Sequence, residues 1–328
     1  MWINDTIEYN NKVHGKFKHP DKPPIRYAGA KSRLFKKYDI NGFFPQEKPT
    51  LFVDMFTGST SMALWVRERW PDVPIICNDS NTELMQMFRV IADHYPEMSK
   101  LNEGFRLEYK RLGNVKDRKK HYYDTRQKYL DNCFQNEIEK SAMLLYMLRV
   151  NFNGFFGLGL KKYPGKYSGT AGVMNWNPDG MLFDSKRLEK FSNYLKTFVL
   201  SIGDFEDTTA QYMQEGAWFY ADPPYRLSVT EYHEKGCSAD DIQLRLIKYM
   251  HELNHKGSKV AMSNREHHDL GAIKWKLTQY GKDHVSGLWF GRHFEEAWTC
   301  NLFKHKYTAG RHNKGEGGKA TEVLIRNY

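Results

Sequence analysis

Short apolar runs recur along the chain, each closed by turn residues. Leu51-Phe52-Val53, Ile75-Ile76-Cys77, Trp218-Phe219-Tyr220 and the segments 197–202, 259–262 and 321–328 read as buried strands. Apolar positions at Met62, Leu64 and Trp65 predict a helix running to about Trp70. Ser238, followed by Asp240 and Asp241, predicts a capped helix over 239–253. Strand and helix alternate over 50–81 and again after 196, which predicts an α/β fold with a doubly wound sheet. Over 82–190 the alternation stops. Residues 83–94 read as a helix, 110–128 are dense in charge and tyrosine, and 138–150 form a helical pattern through Ile138, Met143, Leu144, Met147 and Leu148. A glycine-rich stretch with an Asn153-Gly154 turn signal follows. Residues 1–24 are polar, end in Pro20, Pro23 and Pro24, and predict an arm with little structure of its own. The expected organisation is an arm over 1–24, one domain built from 25–82 and 191–328, and an inserted helical and hairpin domain over 83–190.

Composition adds a partner class. The 328 residues carry a net charge of +10 and 15% aromatics. The positive charge is segmental: residues 10–37 hold nine Lys/Arg against one acid, and 83–190 hold nineteen against thirteen. A basic, aromatic-rich chain of this kind suits a nucleic acid, through phosphate neutralisation and base stacking. Cys77, Cys133, Cys237 and Cys300 are far apart, which argues against a zinc ribbon or a disulfide framework and fits a reducing compartment. No apolar run is long enough to span a membrane, and the first residues lack the apolar core of a signal peptide. The expected location is the cytosol.

Three stretches carry chemistry. The strand Trp218-Phe219-Tyr220-Ala221 runs into Asp222-Pro223-Pro224-Tyr225. Each proline fixes its own φ and pushes the preceding residue toward extended geometry, so the backbone carbonyls point in set directions beside a carboxylate and a phenol ring. Such a turn grips a planar amino group by two acceptors while an aromatic face stacks on its ring. The second stretch is Asp54-Met55-Phe56-Thr57-Gly58-Ser59, a small-residue turn between strand and helix, with Asp79 twenty-one residues after Gly58 at the end of the next strand. An acid at that distance reaches ribose hydroxyls in doubly wound folds, and a turn without GxGxxG suits a nucleoside that has no pyrophosphate. The third is Tyr27-Ala28-Gly29-Ala30-Lys31, where small residues let backbone approach a ligand beside a ring and a positive charge.

With these motifs in this order, the chain resembles the Dam-type DNA adenine-N6 methyltransferases, over most of 25–264 and the last eight residues. The resemblance implies S-adenosylmethionine as cofactor, held by Tyr27, Ala28, Gly29, Lys31, Asp54, Phe56, Gly58, Asp79, Asp204, Phe205 and Asp222. Catalysis is implied at Asp222, Pro223, Pro224 and Tyr225, on double-stranded DNA with the target base flipped out. The inserted segment falls where the family recognises its target; Arg149, Asn153 and Gly154 match a family segment, and with Asn151, Lys161, Lys162 and Lys166 they are the expected DNA contacts. Two positions depart from the pattern: Ala30 stands where a glycine is usual, and Met55 where a proline is. Gly157 and Gly159 replace a usual arginine and asparagine, which bears on the recognised sequence. A restriction endonuclease partner and a monomeric or weakly dimeric state are further expectations.

Other readings remain open at this level: an RNA or cytosine-N4 methyltransferase, or an inactive DNA-binding relative. His251-Glu252-Leu253-Asn254-His255 also fits the HExxH zinc pattern. It lies at a helix end, with only His267 and His268 as loose third ligands, and histidines there have a plain electrostatic role. No metal is expected.

Overall fold

The computed structural model describes residues 2–4, 6–157, 162–180, 183–225, 239–265, 293–294, 297–306 and 319–328. Eight strands form one sheet: β1 (Trp2–Asn4), β2 (Leu51–Asp54), β3 (Ile75–Asp79), β4 (Phe198–Ile202), β5 (Ala217–Ala221), β6 (Lys259–Arg265), β7 (Thr299–Lys306) and β8 (Lys319–Arg326). The helices are α1 (Asn11–His14), α2 (Phe35–Ile40), α3 (Ser61–Arg69), α4 (Thr82–Asp93), α5 (Tyr95–Leu112), α6 (Val115–Leu130), α7 (Glu137–Val150), α8 (Ser185–Leu195), α9 (Phe205–Thr209) and α10 (Ala239–His255).

The sheet order is β1-β7-β8-β6-β5-β2-β3-β4. Strands β2 to β6 pair in parallel, and β8 inserts antiparallel between β6 and β7. The chain winds outward from β2 through β3 to β4, then returns to β5 on the other side of β2. The order therefore reverses between β2 and β5, and ligands of open α/β sheets bind outside the carboxyl ends of the strands at such a switch point. The doubly wound α/β fold read from the alternation is the fold observed.

Alternation along the strands divides the core. Phe52, Trp218, Tyr220, Ala261 and Leu324 face one side, packed with α2, α3 and the helices α4 to α8. Val53, Phe219, Ala221, Val260, Met262 and Ile325 face the other, packed with Leu246, Met250 and Leu253 of α10. Helix α7 is buried continuously from Ser141 to Val150 because α4, α5 and α6 pack around it. That explains its continuous apolar run better than one amphipathic face does. Between Asn151 and 180 the described residues hold one isolated bridge, Asn151 to Ala171, in place of an extended hairpin.

The N-terminal arm is more ordered than its polar composition predicts. Residues 2–4 add an edge strand beside β7, Thr6 donates to the Leu302 carbonyl at 2.7 Å, and Asn41 brackets the Ile7 backbone from both sides. The strand pairing and the Thr6 bond depend on residues some three hundred positions away, so no local pattern announces them. Among the described residues no helix is long and apolar enough to cross a membrane.

Candidate functional site

Four parallel strands, β2 to β5, end at one edge, and the predicted motifs extend from those ends. Asn78 ties three of them together: its amide donates to the Met55 carbonyl at 3.2 Å and to the Gly203 carbonyl at 3.1 Å. Its carbonyl accepts the Thr57 amide at 2.8 Å. Asp79, at the tip of β3, accepts the Gly58 amide at 2.8 Å and the Asn81 amide at 2.9 Å. Its carboxyl nonetheless sits above the ordinary range because burial outweighs those bonds. Asp54 ends β2 fully buried. Its Oδ2 accepts the Thr57 hydroxyl, while Oδ1 has no hydrogen-bond partner among the described residues. Burial, reinforced by Asp222 and Asp79, raises this carboxyl to about 8.

The Tyr27 segment lies across the Gly58 turn. A Cβ on Gly58 would stand 3.0 Å from the Tyr27 ring. Gly29 has φ +88°, a conformation that favours glycine, whereas Ala30 has φ −54°; alanine is unstrained there. Phe56 and Phe205 place their rings 5.2 Å apart at the ends of β2 and β4. Asp204 caps α9 and pairs with Arg245 at 2.8 Å.

After β5 the Asp222–Tyr225 turn meets Lys31. The ammonium stands 2.5 Å from both Asp222 oxygens and also donates to the Gly29 carbonyl. Lys31 is 6% exposed and Asp222 20%. Burial pushes the Asp222 carboxyl up, and the Lys31 charge pulls it back only in part. The same ammonium lies 5.1 Å from the Tyr225 ring centroid. Gln243, on α10, donates to the Pro224 carbonyl at 2.7 Å and is oriented by Asn264, which donates to its amide oxygen at 2.9 Å. The Tyr225 hydroxyl donates to Glu322 of β8, 3.2 Å from each carboxylate oxygen.

The structure thus brings Tyr27, Ala28, Gly29, Lys31, Asp54, Phe56, Gly58, Asp79, Phe205 and the Asp222–Tyr225 turn to one edge of the sheet. Gln243 carries no sequence signal as a site residue, and Glu322 is not among the predicted site residues. Glu322 sits in an apolar strand pattern, where the acid itself is the anomaly that marks it.

The predicted DNA contacts divide differently. Arg149 is fully buried: it donates to the Pro24 carbonyl at 2.9 Å and to the Asn102 side chain. It braces the arm against α5 and does not face a DNA surface, a correction to its expected role. Burial lowers even this guanidinium, to about 9. Asn151 is equally buried and turns inward to the Gly154 amide and the Phe155 carbonyl. Gly154 presses on the Tyr27 backbone, where a Cβ would meet the amide nitrogen at 2.8 Å, and its carbonyl accepts the Ala28 amide. Asn151 and Gly154 therefore support the Tyr27 segment, and that packing takes them away from a groove contact. Asn153 adopts φ +53° in the same turn. Lys166 bonds the Leu130 carbonyl and the Asn132 side chain, which fixes the loop to the end of α6. Lys162 is exposed, and Lys161 lies outside the described residues, as do Gly159, Cys237, His267 and His268.

Within the HExxH pattern His251 packs inward, while Glu252 and His255 are exposed. His251 hydrogen-bonds the His293 carbonyl at 2.8 Å and lies between Phe294 and Trp298. No cluster of three metal-ligating side chains occurs among the described residues.

Residues 27–295 match the family described as D12 class N6 adenine-specific DNA methyltransferase, and the chain belongs to that family. It is 26% identical over 255 residues to the type II methyltransferase M.MjaIII of Methanocaldococcus jannaschii, covering 74% of this chain and 84% of that protein. It is 28% identical over 320 residues to the type II methyltransferase M1.LlaDCHI of Lactococcus lactis subsp. cremoris, covering 94% of this chain and 95% of that one. The retron Ec67 DNA adenine methylase of Escherichia coli is 26% identical over 242 residues, 74% of this chain and 76% of its own length.

Proposed function

We propose that this DNA adenine methyltransferase moves a methyl group from S-adenosylmethionine to the N6 amino group of a flipped adenine, by direct transfer at a fixed sequence in duplex DNA. The observation that carries the reading is the Asp222–Tyr225 turn at the switch point of the sheet, with a nitrogen donor already seated on its carboxylate.

The cofactor pocket is testable against the residues present. Asp54 Oδ1 and Asn78 Oδ1 are buried acceptors without partners among the described residues, and acidic side chains outnumber the single ammonium of Lys31 around them. A ligand that brings donors and positive charge fits that set, and S-adenosylmethionine is one. When bound it supplies an electrophilic methyl group. Asp79 would hold its ribose, Phe56 and Phe205 its adenine, and Tyr27, Ala28, Gly29 and Gly58 its edges. Asp204 has an acceptor site left beside its Arg245 pair.

The target amine is a weak nucleophile because its lone pair is delocalised into the ring. Asp222 and the Pro223 carbonyl would accept its two hydrogens and favour a pyramidal nitrogen. Pro224 fixes the turn, and Tyr225 would stack on the base. The incoming amino group would take the place of the Lys31 ammonium. With its proton affinity raised, Asp222 is suited to hold the proton that the amine releases. Positioning and electrostatics supply most of the acceleration, and the base must leave the duplex to reach the pocket.

Residues 83–190 would read the target. Lys116, Lys119, Lys120 and Lys128 are exposed on α6, and Lys162 on the loop that follows α7. The names of the type II relatives support a restriction endonuclease as genetic partner. A monomer or weak dimer acting in the cytosol fits the same reading.

Incubation with radiolabelled S-adenosylmethionine and unmethylated genomic DNA, beside an Asp222→Ala control, tests it. Label in N6-methyladenine that disappears in the variant is expected, and sequencing then maps the site. Label in N4-methylcytosine would overturn the substrate, and no label in DNA would overturn the reaction.

A further inference from the structure

We infer that Glu322, in the last strand, is a positioning residue that sets the Tyr225 ring for stacking on the flipped base, and that it acts as a carboxylate. The inference rests on the proposed methyl transfer to a flipped base. Glu322 also lies beyond the residues, 27–295, over which the family match runs.

The geometry is specific. Glu322 is fully buried, on the face of β8 that it shares with Leu324. In register it stands opposite Arg265 of β6 and Phe303 of β7. Burial of a carboxylate inside a sheet is costly unless its oxygens find donors, and here both oxygens share the Tyr225 hydroxyl at 3.2 Å. The ring is therefore pinned twice. Gln243 fixes the backbone behind it through the Pro224 carbonyl, and Glu322 fixes its tip. A stacking wall held at both ends is organised before the base arrives, so the ordering cost is not paid on binding.

The charge state follows from what faces Glu322. Burial raises its carboxyl to about 7; Lys31 from the segment before α2 and Arg265 from β6 oppose that, and Asp222 from the turn after β5 adds to it. Tyr38 of α2 and Tyr225 complete the surrounding titratable groups, both held as phenols by burial. Below about pH 7 Glu322 takes up a proton, and its hold on the Tyr225 hydroxyl weakens from a charged to a neutral hydrogen bond.

The test compares full-length wild type, Glu322→Gln, Tyr225→Phe and the double variant, on duplex DNA carrying the mapped site. Thermal melts and S-adenosylmethionine titrations first establish folded, cofactor-binding protein. Two signals are then read: the single-turnover methylation rate, and the fluorescence of 2-aminopurine at the target position, which stacking quenches. Glu322→Gln is expected to lower the rate roughly ten- to a hundredfold and to brighten the bound 2-aminopurine, with cofactor affinity unchanged. Tyr225→Phe should do the same, and the double variant should be no worse than Tyr225→Phe alone, because both substitutions act on one bond. The rise of the wild-type rate through pH 7 should be absent from Glu322→Gln.

Equal damage by Glu322→Gln in the wild-type and Tyr225→Phe backgrounds would overturn the inference, as would a full rate with unchanged fluorescence. Should Glu322→Gln not fold, Tyr225→Phe decides alone, since a full rate there leaves the bond without a role. A wild-type enzyme that binds cofactor and methylates no DNA would instead overturn the proposed function and take this inference with it.

Discussion

Asp54 shows how one residue couples the site to the stability of the fold. Its carboxyl is 1% exposed and raised to about 8 from an ordinary value near 4. Below pH 4 both folded and unfolded chains hold the proton, so the folded state pays nothing for it. Between 4 and 8 the unfolded chain releases the proton while the folded one keeps it, and stability falls as pH rises. At about 1.4 kcal/mol per unit the loss is on the order of a few kcal/mol by pH 8, burial being its main source. Asp54→Asn should therefore melt with a flatter dependence on pH between 5.5 and 8 than wild type in the absence of cofactor. Saturating S-adenosylmethionine, which brings positive charge, should raise the wild-type melting temperature more at pH 8 than at pH 6. Differential scanning fluorimetry of both proteins across that range checks the slope; parallel curves would refute the assignment.

At the scale of elements, the turn after β5 is held by a helix on the other side of the sheet. Asn264 at the end of β6 orients the Gln243 amide, and Gln243 donates to the Pro224 carbonyl. Gln243→Leu keeps the volume and removes the donor. It should slow methyl transfer about tenfold or more, as misplacement of a reacting group does, with little change in cofactor affinity, measured by single-turnover assay and calorimetry. Loss of cofactor binding would mean that the clamp serves the pocket instead of the turn. This relay also marks the limit of what the sequence reveals. Buried strands that run into Asp54, Asp79 and Asp222 are legible because apolar runs, turn residues and acids occur side by side. Gln243 is not, since its partner lies nineteen residues away. Edge strand β1 is equally silent, being three residues that extend only because β7 offers them a ladder. Arg149 misleads for a related reason: a basic residue beside an Asn-Gly turn looks like a DNA contact until α4, α5 and α6 close around its helix.

Across the whole molecule, the net charge of +10 has a function only where the charges face outward. Lys31 is committed to Asp222, Arg149 to Pro24 and Asn102, and Lys166 to the end of α6. Lys162 and the α6 lysines are exposed and in the segment proposed to meet DNA. Phosphate contacts appear in the salt dependence of affinity, each adding about 0.9 to the slope of log K against log salt. Lys162→Ala should lower that slope by roughly one unit with no change in melting temperature, if the loop after α7 lies against the backbone. Arg149→Lys should do the reverse. It removes a buried, charge-assisted bond that lysine cannot reproduce in the same fork geometry, costs roughly 2–4 kcal/mol of stability, and leaves the salt slope of the folded fraction unchanged. Fluorescence anisotropy on labelled duplex at several salt concentrations, read beside a melt of each variant, separates the two roles. A changed slope for Arg149→Lys at full stability would return that residue to the DNA interface, and an unchanged slope for Lys162→Ala would move the interface off this loop.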